Sequence, residues 1–269
     1  MLKGAMKMDL LEVKGLSISF GGLKAVQDVS FSVPKGKIVS VIGPNGAGKT
    51  TIFNMLTGFY QPDSGSIKLD GVEMVGKKAY EFIGCGIART FQNIRLYAQM
   101  SVLENVLIGY QCRLEQNLWD GLFNTSRKKR TEAEALDKAR AALDEIHLLR
   151  YENELCVNLP YGKQKVLEIA RALMSDPKLL FLDEPAAGLN PQETRELSAY
   201  IKSLTQKGFT IVLIEHDLRL VMGISDYVNV IDHGIKIAEG TPPEVQKNPE
   251  VITAYIGKGG VRRDAAGDQ

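Results

Sequence analysis

The sequence predicts an α/β protein: a parallel-sheet core, an antiparallel β subdomain on its N-terminal side, and an α-helical subdomain inserted between strands. Three observations carry that expectation. Short runs at 38–42, 178–182 and 210–214 are apolar or β-branched almost throughout, as strands buried on both faces of a parallel sheet are. Stretches nearer the N-terminus alternate apolar and polar residues, the signature of strands with one solvated face. Residues 93–172 carry helical spacing and helix starts, with no comparable strand.

Residues 1–8 contain three methionines and little pattern, and are expected to be a frayed start. Leu11, Val13, Leu16, Ile18 and Phe20 then alternate along a strand that ends at Gly21-Gly22. Residues 25–33 alternate again, and Pro34-Lys35-Gly36 turns into the apolar run at 38–42. That run ends in Gly43-Pro44-Asn45-Gly46-Ala47-Gly48-Lys49-Thr50, which fits G-x-x-x-x-G-K-[ST] at every fixed position. Residues 51–56 can begin a helix, so strand, glycine loop and helix N-terminus follow in the order a phosphate cradle needs. Lys49 would reach the β- and γ-phosphates, and the Thr50 hydroxyl would ligate Mg²⁺. Phe20, before two glycines, could stack on an adenine ring or plug the sheet edge; spacing alone leaves both open. Residues 66–71 add a further short strand.

Gln92, in Thr90-Phe91-Gln92-Asn93, is by itself an ordinary solvated loop residue. Ser101-Val102-Leu103-Glu104 is a capping box opening a helix through 105–109. Leu114, Leu118 and Leu122 recur at helical spacing beside Trp119 and Phe123, and Arg127-Lys128-Lys129-Arg130 reads as a solvated face, with membrane or partner contact as the functional alternative. Thr131-Glu132-Ala133-Glu134 is read as another capping box, before a stripe of Leu136, Ala139, Leu143, Ile146 and Leu149. His147 is placed in that helix's last turn. Leu159-Pro160-Tyr161-Gly162-Lys163-Gln164 leads into an amphipathic helix over 166–174.

The strand at 178–182 runs into Asp183-Glu184-Pro185. Beside a phosphate loop, such a pair can divide the work: Asp183 in the Mg²⁺ shell, Glu184 polarising a water for in-line attack. Asn190-Pro191-Gln192-Glu193 combines an Asn N-cap, Pro at the first helical position and a closing Glu, starting a helix to about residue 205. The strand at 210–214 is followed by Glu215-His216-Asp217, which puts His216 at the ligand-binding edge of an α/β sheet. Strands at 227–231 and 234–238 flank an Asp232-His233-Gly234 turn, and the Gly-, Arg- and Asp-rich residues from 257 are expected to be disordered.

A chain of 269 residues can bury a full core. Its formal charge of +1 argues against nucleic acid as a main partner. No apolar run approaches the roughly 20 residues that span a bilayer. Cys85, Cys112 and Cys156 suggest neither a disulfide framework nor a metal site.

Taken in order, these motifs resemble the ATP-binding subunits of ABC transporters over about residues 11–257. The resemblance rests on the phosphate loop, Gln92 as a glutamine loop, Leu159–Gln164 as a signature, Asp183-Glu184, the loop Ala187-Gly188-Leu189-Asn190, and His216 as a switch histidine. It implies a P-loop NTPase of RecA-like fold, with residues 1–92 and 173–256 as core plus antiparallel subdomain and 93–172 as the helical subdomain that includes the signature helix. Two departures stand out. The usual Leu-Ser-Gly-Gly-Gln reads Leu159-Pro160-Tyr161-Gly162-Lys163, without its serine hydroxyl, and Asn190 replaces the usual aspartate. Asp-Glu-Pro-Ala-Ala-Gly-Leu-Asn-Pro-Gln-Glu-Thr at 183–194, Tyr161-Gly162, Gly121-Leu122-Phe123 and Asn248-Pro249-Glu250-Val251-Ile252 resemble the branch serving branched-chain amino acid importers; related branches handle urea, amides or lipopolysaccharide.

The resemblance implies ATP and Mg²⁺ as ligands. Phe20 would stack on adenine, while Gly43, Asn45, Gly46, Ala47, Gly48, Lys49, Thr50 and Thr51 would hold phosphates. Pro160, Tyr161, Gly162 and Lys163 would contact the ATP of an opposing subunit. Thr50, Gln92 and Asp183 would serve the metal, Glu184 would be the base, and His216 would hold the γ-phosphate geometry. Implied partners are a second ATP-binding subunit (identical in isolation, different in the complex), two membrane-spanning permease subunits, and indirectly an extracytoplasmic solute-binding protein, with this chain on the cytoplasmic face of the membrane. Rival readings are a soluble ABC ATPase, a P-loop GTPase or kinase that would leave the signature and His216 idle, and a non-hydrolytic module, against which Glu184 and His216 speak.

Overall fold

A computed structural model of the chain describes residues 9–111 and 126–256. Its strands are β1 (Asp9–Phe20), β2 (Leu23–Pro34), β3 (Ile38–Ile42), β4 (Ser64–Leu69), β5 (Val72–Glu73), β6 (Ile87–Arg89), β7 (Leu179–Asp183), β8 (Thr210–Ile214), β9 (Tyr227–Asp232) and β10 (Ile235–Gly240). Its helices are α1 (Lys49–Leu56), α2 (Ala79–Gly84), α3 (Val102–Tyr110), α4 (Ser126–Glu145), α5 (Tyr161–Leu173), α6 (Pro191–Gln206), α7 (Leu218–Ile224), α8 (Pro242–Gln246) and α9 (Pro249–Ile256).

Two sheets form. One is antiparallel, in the order β2-β1-β4-β5. The other runs β10-β9-β3-β8-β7-β6, parallel from β9 to β6 with β10 antiparallel at its edge. Every residue of β3, β7 and β8 is buried, because layers cover both faces. Successive side chains point to opposite faces. Val39, Val41, Phe181, Val212 and Ile214 therefore pack with α1 and the antiparallel sheet, through residues such as Phe53, Leu11 and Val29. Ile38, Leu180, Leu182, Ile211 and Leu213 pack the other way, on Leu197, Ile201 and Leu204 of α6 and Leu220 of α7. Helices α3 to α5, between β6 and β7 in sequence, have a core of their own that includes Val106, Ala139, Leu143 and Leu167.

The capping boxes at Ser101 and Asn190 form with both reciprocal bonds: Glu104 N donates to Ser101 Oγ at 3.2 Å, and Glu193 N donates to Asn190 Oδ1 at 3.0 Å. The box expected at Thr131 does not start a helix. Helix α4 begins at Ser126 and Thr131 lies inside it, because nothing between 126 and 145 is Gly or Pro and its Arg and Lys favour helix. The helix also ends earlier than expected. His147 is not in its last turn but beyond it, in the left-handed conformation at φ 57°. His147 N donates to Asp144 O at 3.0 Å and Leu148 N to Leu143 O at 2.8 Å, a Schellman termination, and Leu149 opens a separate 3₁₀ turn, Leu149–Tyr151. Helix α5 starts at Tyr161 rather than 166, since its first turn is polar and invisible to apolar periodicity. Leu114, Leu118, Trp119, Gly121, Leu122, Phe123, the first eight residues and the tail from 257 lie outside the described residues. Among the described residues no helix is long and apolar enough to cross a membrane.

Candidate functional site

Strand β3 delivers the chain into the loop Gly43–Gly48. A Cβ at Gly43 would lie 2.0 Å from Ile231 O, and one at Gly48, at φ 101°, would lie 2.7 Å from Ala25 O, so each position admits glycine alone. Lys49 is 6% exposed, and its Nζ donates to Gly43 O at 2.8 Å and Pro44 O at 2.9 Å, curling over its own loop. Burial pulls its pKa down, opposed by the charge of Glu184. Asn45, Gly46 and Thr50 are exposed, Gly43 and Ala47 buried, and Thr51 half-buried. Asn45, Gly46 and Ala47 also wall a cavity of about 610 Å³ with His233 and Glu250.

Strands β6, β7 and β8 are neighbours in the sheet, so the segments leaving their C-terminal ends converge. Glu184 leaves β7 at φ 45°, a left-handed backbone unusual for glutamate. Its Oε2 accepts from Gln92 Nε2 at 2.8 Å and lies 3.6 Å from His216 Nδ1. The glutamine after β6, the acid after β7 and the histidine after β8 thus meet on one carboxylate oxygen.

Asp183 is engaged differently. Its Oδ2 accepts from Arg89 Nη2 at 2.7 Å, with both side chains 8% exposed. Arg89 Nη1 donates to Asn54 Oδ1 at 2.8 Å and Thr57 Oγ1 at 2.9 Å on and just after α1. The rings of Phe53, Phe59 and Phe91 lie at 5.5, 5.5 and 5.0 Å from the guanidinium carbon. Glu215 is fully buried and accepts backbone N–H from Ala186 at 2.8 Å and His216 at 3.1 Å, tying the loop after β7 to the switch position. Burial pushes its carboxyl up, and the backbone donors pull against that. Lys165, 2% exposed, donates to Gln92 O at 2.7 Å and so fastens the glutamine segment to α5. Burial lowers its pKa, and Glu168 is the largest opposing charge. None of Arg89, Lys165 or Glu215 stood out as functional in the sequence.

The signature residues lie elsewhere. Pro160 caps α5, Gly162 faces Glu193 so closely that a Cβ would sit 2.7 Å from Oε1, and Lys163 donates to the Tyr151 hydroxyl at 3.2 Å. Tyr161 is exposed and its ring lies against Gly188. Pro160, Gly162 and Lys163 wall a cavity of about 970 Å³ between α5 and α6 that contains no phosphate-loop residue. Phe20, 44% exposed, makes an edge-to-face contact with Tyr60 at 5.3 Å.

As a metal site the donor set is sparse but of the right kind. The Thr50 hydroxyl, the Asp183 carboxylate and the Gln92 amide oxygen are hard oxygen donors. Among the described residues no group of three or more His, Cys, Asp and Glu forms a cage. That combination fits Mg²⁺, which is commonly held by one or two carboxylates together with substrate phosphates.

The ABC transporter family profile matches residues 26–187, and a profile for the branched-chain amino acid ATP-binding cassette transporter matches 236–261. The chain is 48% identical over 254 residues to the high-affinity branched-chain amino acid transport ATP-binding protein BraF of Pseudomonas aeruginosa, covering 94% of this chain and 100% of that protein. The same figures hold for LivG, of the same description, from Escherichia coli. Among solved structures, the ADP conformation of MJ1267, an ATP-binding cassette of an ABC transporter, superposes with a TM-score of 0.81 at 34% identity, covering 93% of this chain and 100% of the other.

Proposed function

Because the chain belongs to the ATP-binding family of ABC transporters, and is therefore an ATPase that energises transport, we propose that its cargo is branched-chain amino acids and that hydrolysis is carried out at Glu184. The single observation behind the catalytic assignment is the meeting of Gln92, Glu184 and His216 on Glu184 Oε2. The cargo assignment rests on the C-terminal profile and on the two full-length relatives.

In this reading Lys49 exchanges the carbonyls of Gly43 and Pro44 for the β- and γ-phosphates of ATP, aided by the loop N–H groups and the α1 dipole. Phe20 stacks on the adenine. Thr50, Asp183 and Gln92 would hold Mg²⁺, which would supply positive charge against the charge developing at the γ-phosphate. Glu184 takes the proton of the attacking water, and His216 holds the γ-phosphate in line. Pro160–Lys163 sit away from the phosphate loop in their own chain, so they serve the nucleotide of a facing cassette, and that partner is a related chain in the assembled transporter. Two membrane-spanning subunits receive the motion at the cytoplasmic face, and a solute-binding protein delivers cargo from the other side.

The test uses the assembled transporter in proteoliposomes. Glu184→Gln should retain ATP affinity within about threefold, yet lower phosphate release about 10²–10⁴-fold and stop leucine uptake with it. Undiminished hydrolysis would remove Glu184 as base, and a wild-type complex that hydrolyses ATP but imports no leucine, isoleucine or valine would overturn the cargo assignment.

A further inference from the structure

We propose that Arg89 is a positioning residue for the metal-binding carboxylate: its guanidinium is fixed to α1 and holds Asp183 by Oδ2, so that Oδ1 is the oxygen left for the metal. This rests on the reading of Asp183 as a metal ligand.

The geometry favours an orienting role over a passing ion pair. Arg89 Nη2 takes Asp183 Oδ2 at 2.7 Å, while Nη1 is committed to Asn54 and Thr57. Among the described residues no hydrogen bond is made to Asp183 Oδ1. Both side chains are almost fully excluded from water, so the attraction is weakly screened. Arg89 Nε is buried without a hydrogen-bond partner, which means that the planar group is placed to serve its two Nη atoms at the expense of Nε. The rings of Phe53, Phe59 and Phe91 surround the guanidinium and stop it swinging away. A lysine would keep the charge and lose the fork that reaches Asn54, Thr57 and Asp183 together.

The consequence is a link between three parts of the site. Asn54 and Thr57 belong to the helix that the phosphate loop opens, Asp183 ends β7, and Phe91 immediately precedes Gln92. One side chain therefore sets the phosphate-binding helix, the metal carboxylate and the glutamine segment in a common frame. Outer partners that orient a metal ligand commonly change metal affinity about 10–100-fold when removed.

The experiment titrates Mn²⁺ into the ADP complex of the full chain and follows free Mn²⁺ by electron paramagnetic resonance, with ADP affinity in EDTA and the thermal unfolding midpoint measured in parallel. Arg89→Lys should weaken Mn²⁺ binding about 10–100-fold while ADP affinity in EDTA stays within about twofold. Asn54→Ala, which removes neither charge but takes away one anchor of the guanidinium, should weaken Mn²⁺ binding in the same direction by less. It carries the test if Arg89→Lys fails to fold. Asp183→Asn is the reference for the underlying reading and should weaken Mn²⁺ at least as much as Arg89→Lys. If Asp183→Asn weakens Mn²⁺ and neither other variant does, Arg89 is a plain structural ion pair and the inference is wrong. If Asp183→Asn leaves Mn²⁺ binding unchanged, Asp183 is not a metal ligand, and the inference falls with that reading.

Discussion

Glu215 and Lys49 are both charged side chains driven out of water, and they meet that cost by different means. Lys49 finds two carbonyls of its own loop, whereas Glu215 gathers backbone N–H groups from Ala186 and His216. Burial still raises the Glu215 carboxyl above its ordinary value of 4.5. Between that value and the raised one, the folded chain holds a proton that the unfolded chain has released. The resulting stability is complete below the unfolded pKa and is lost as pH rises through the folded one. Glu215→Gln cannot titrate, so the stability difference, wild type minus variant, should be larger near pH 5 than near pH 8, measured by denaturant unfolding. A difference that grows toward high pH would contradict the assignment. Lys49 was legible from the phosphate-loop pattern itself, Glu184 only beside that loop, and His216 only through the family resemblance. Arg89, Lys165 and Glu215 were not, because a charged letter beside a motif reads as solvated until the packing that buries it is known.

Among the elements, the strands were the most legible. The runs at 38–42, 178–182 and 210–214 match β3, β7 and β8 within a residue, since burial on both faces writes an uninterrupted apolar signal. Helix ends were less so. Ser/Thr-x-x-Glu marks the start of α3 but lies mid-helix at Thr131, because the pattern records side-chain types and the backbone around 126–130 decides whether it caps. At the other end of α4, His147 carries a left-handed conformation that costs L-residues about 1–2 kcal/mol. His147→Gly relieves it, offset by about 0.4–1 kcal/mol of added unfolded-chain entropy. The variant should be more stable by about 0.5–1 kcal/mol in the denaturant midpoint. A destabilised variant would mean that the His147 side chain holds the turn by contacts outweighing the backbone cost.

Across the whole molecule, three parallel strand ends bring Gln92, Glu184 and His216 to one edge, while Pro160–Lys163 stand at a separate cavity beside α6. The order of motifs does not by itself give that separation; the family resemblance implied it, by setting Pro160–Lys163 on the ATP of an opposing subunit. In the proposed function, the phosphate loop and the signature are halves of a site that two chains would complete. Sedimentation of the Glu184→Gln protein tests this most directly. With MgATP it should sediment at twice the mass of one chain, and with MgADP as a single chain. A protein that binds ATP with the affinity of the wild type and stays a single chain at every concentration would contradict the account.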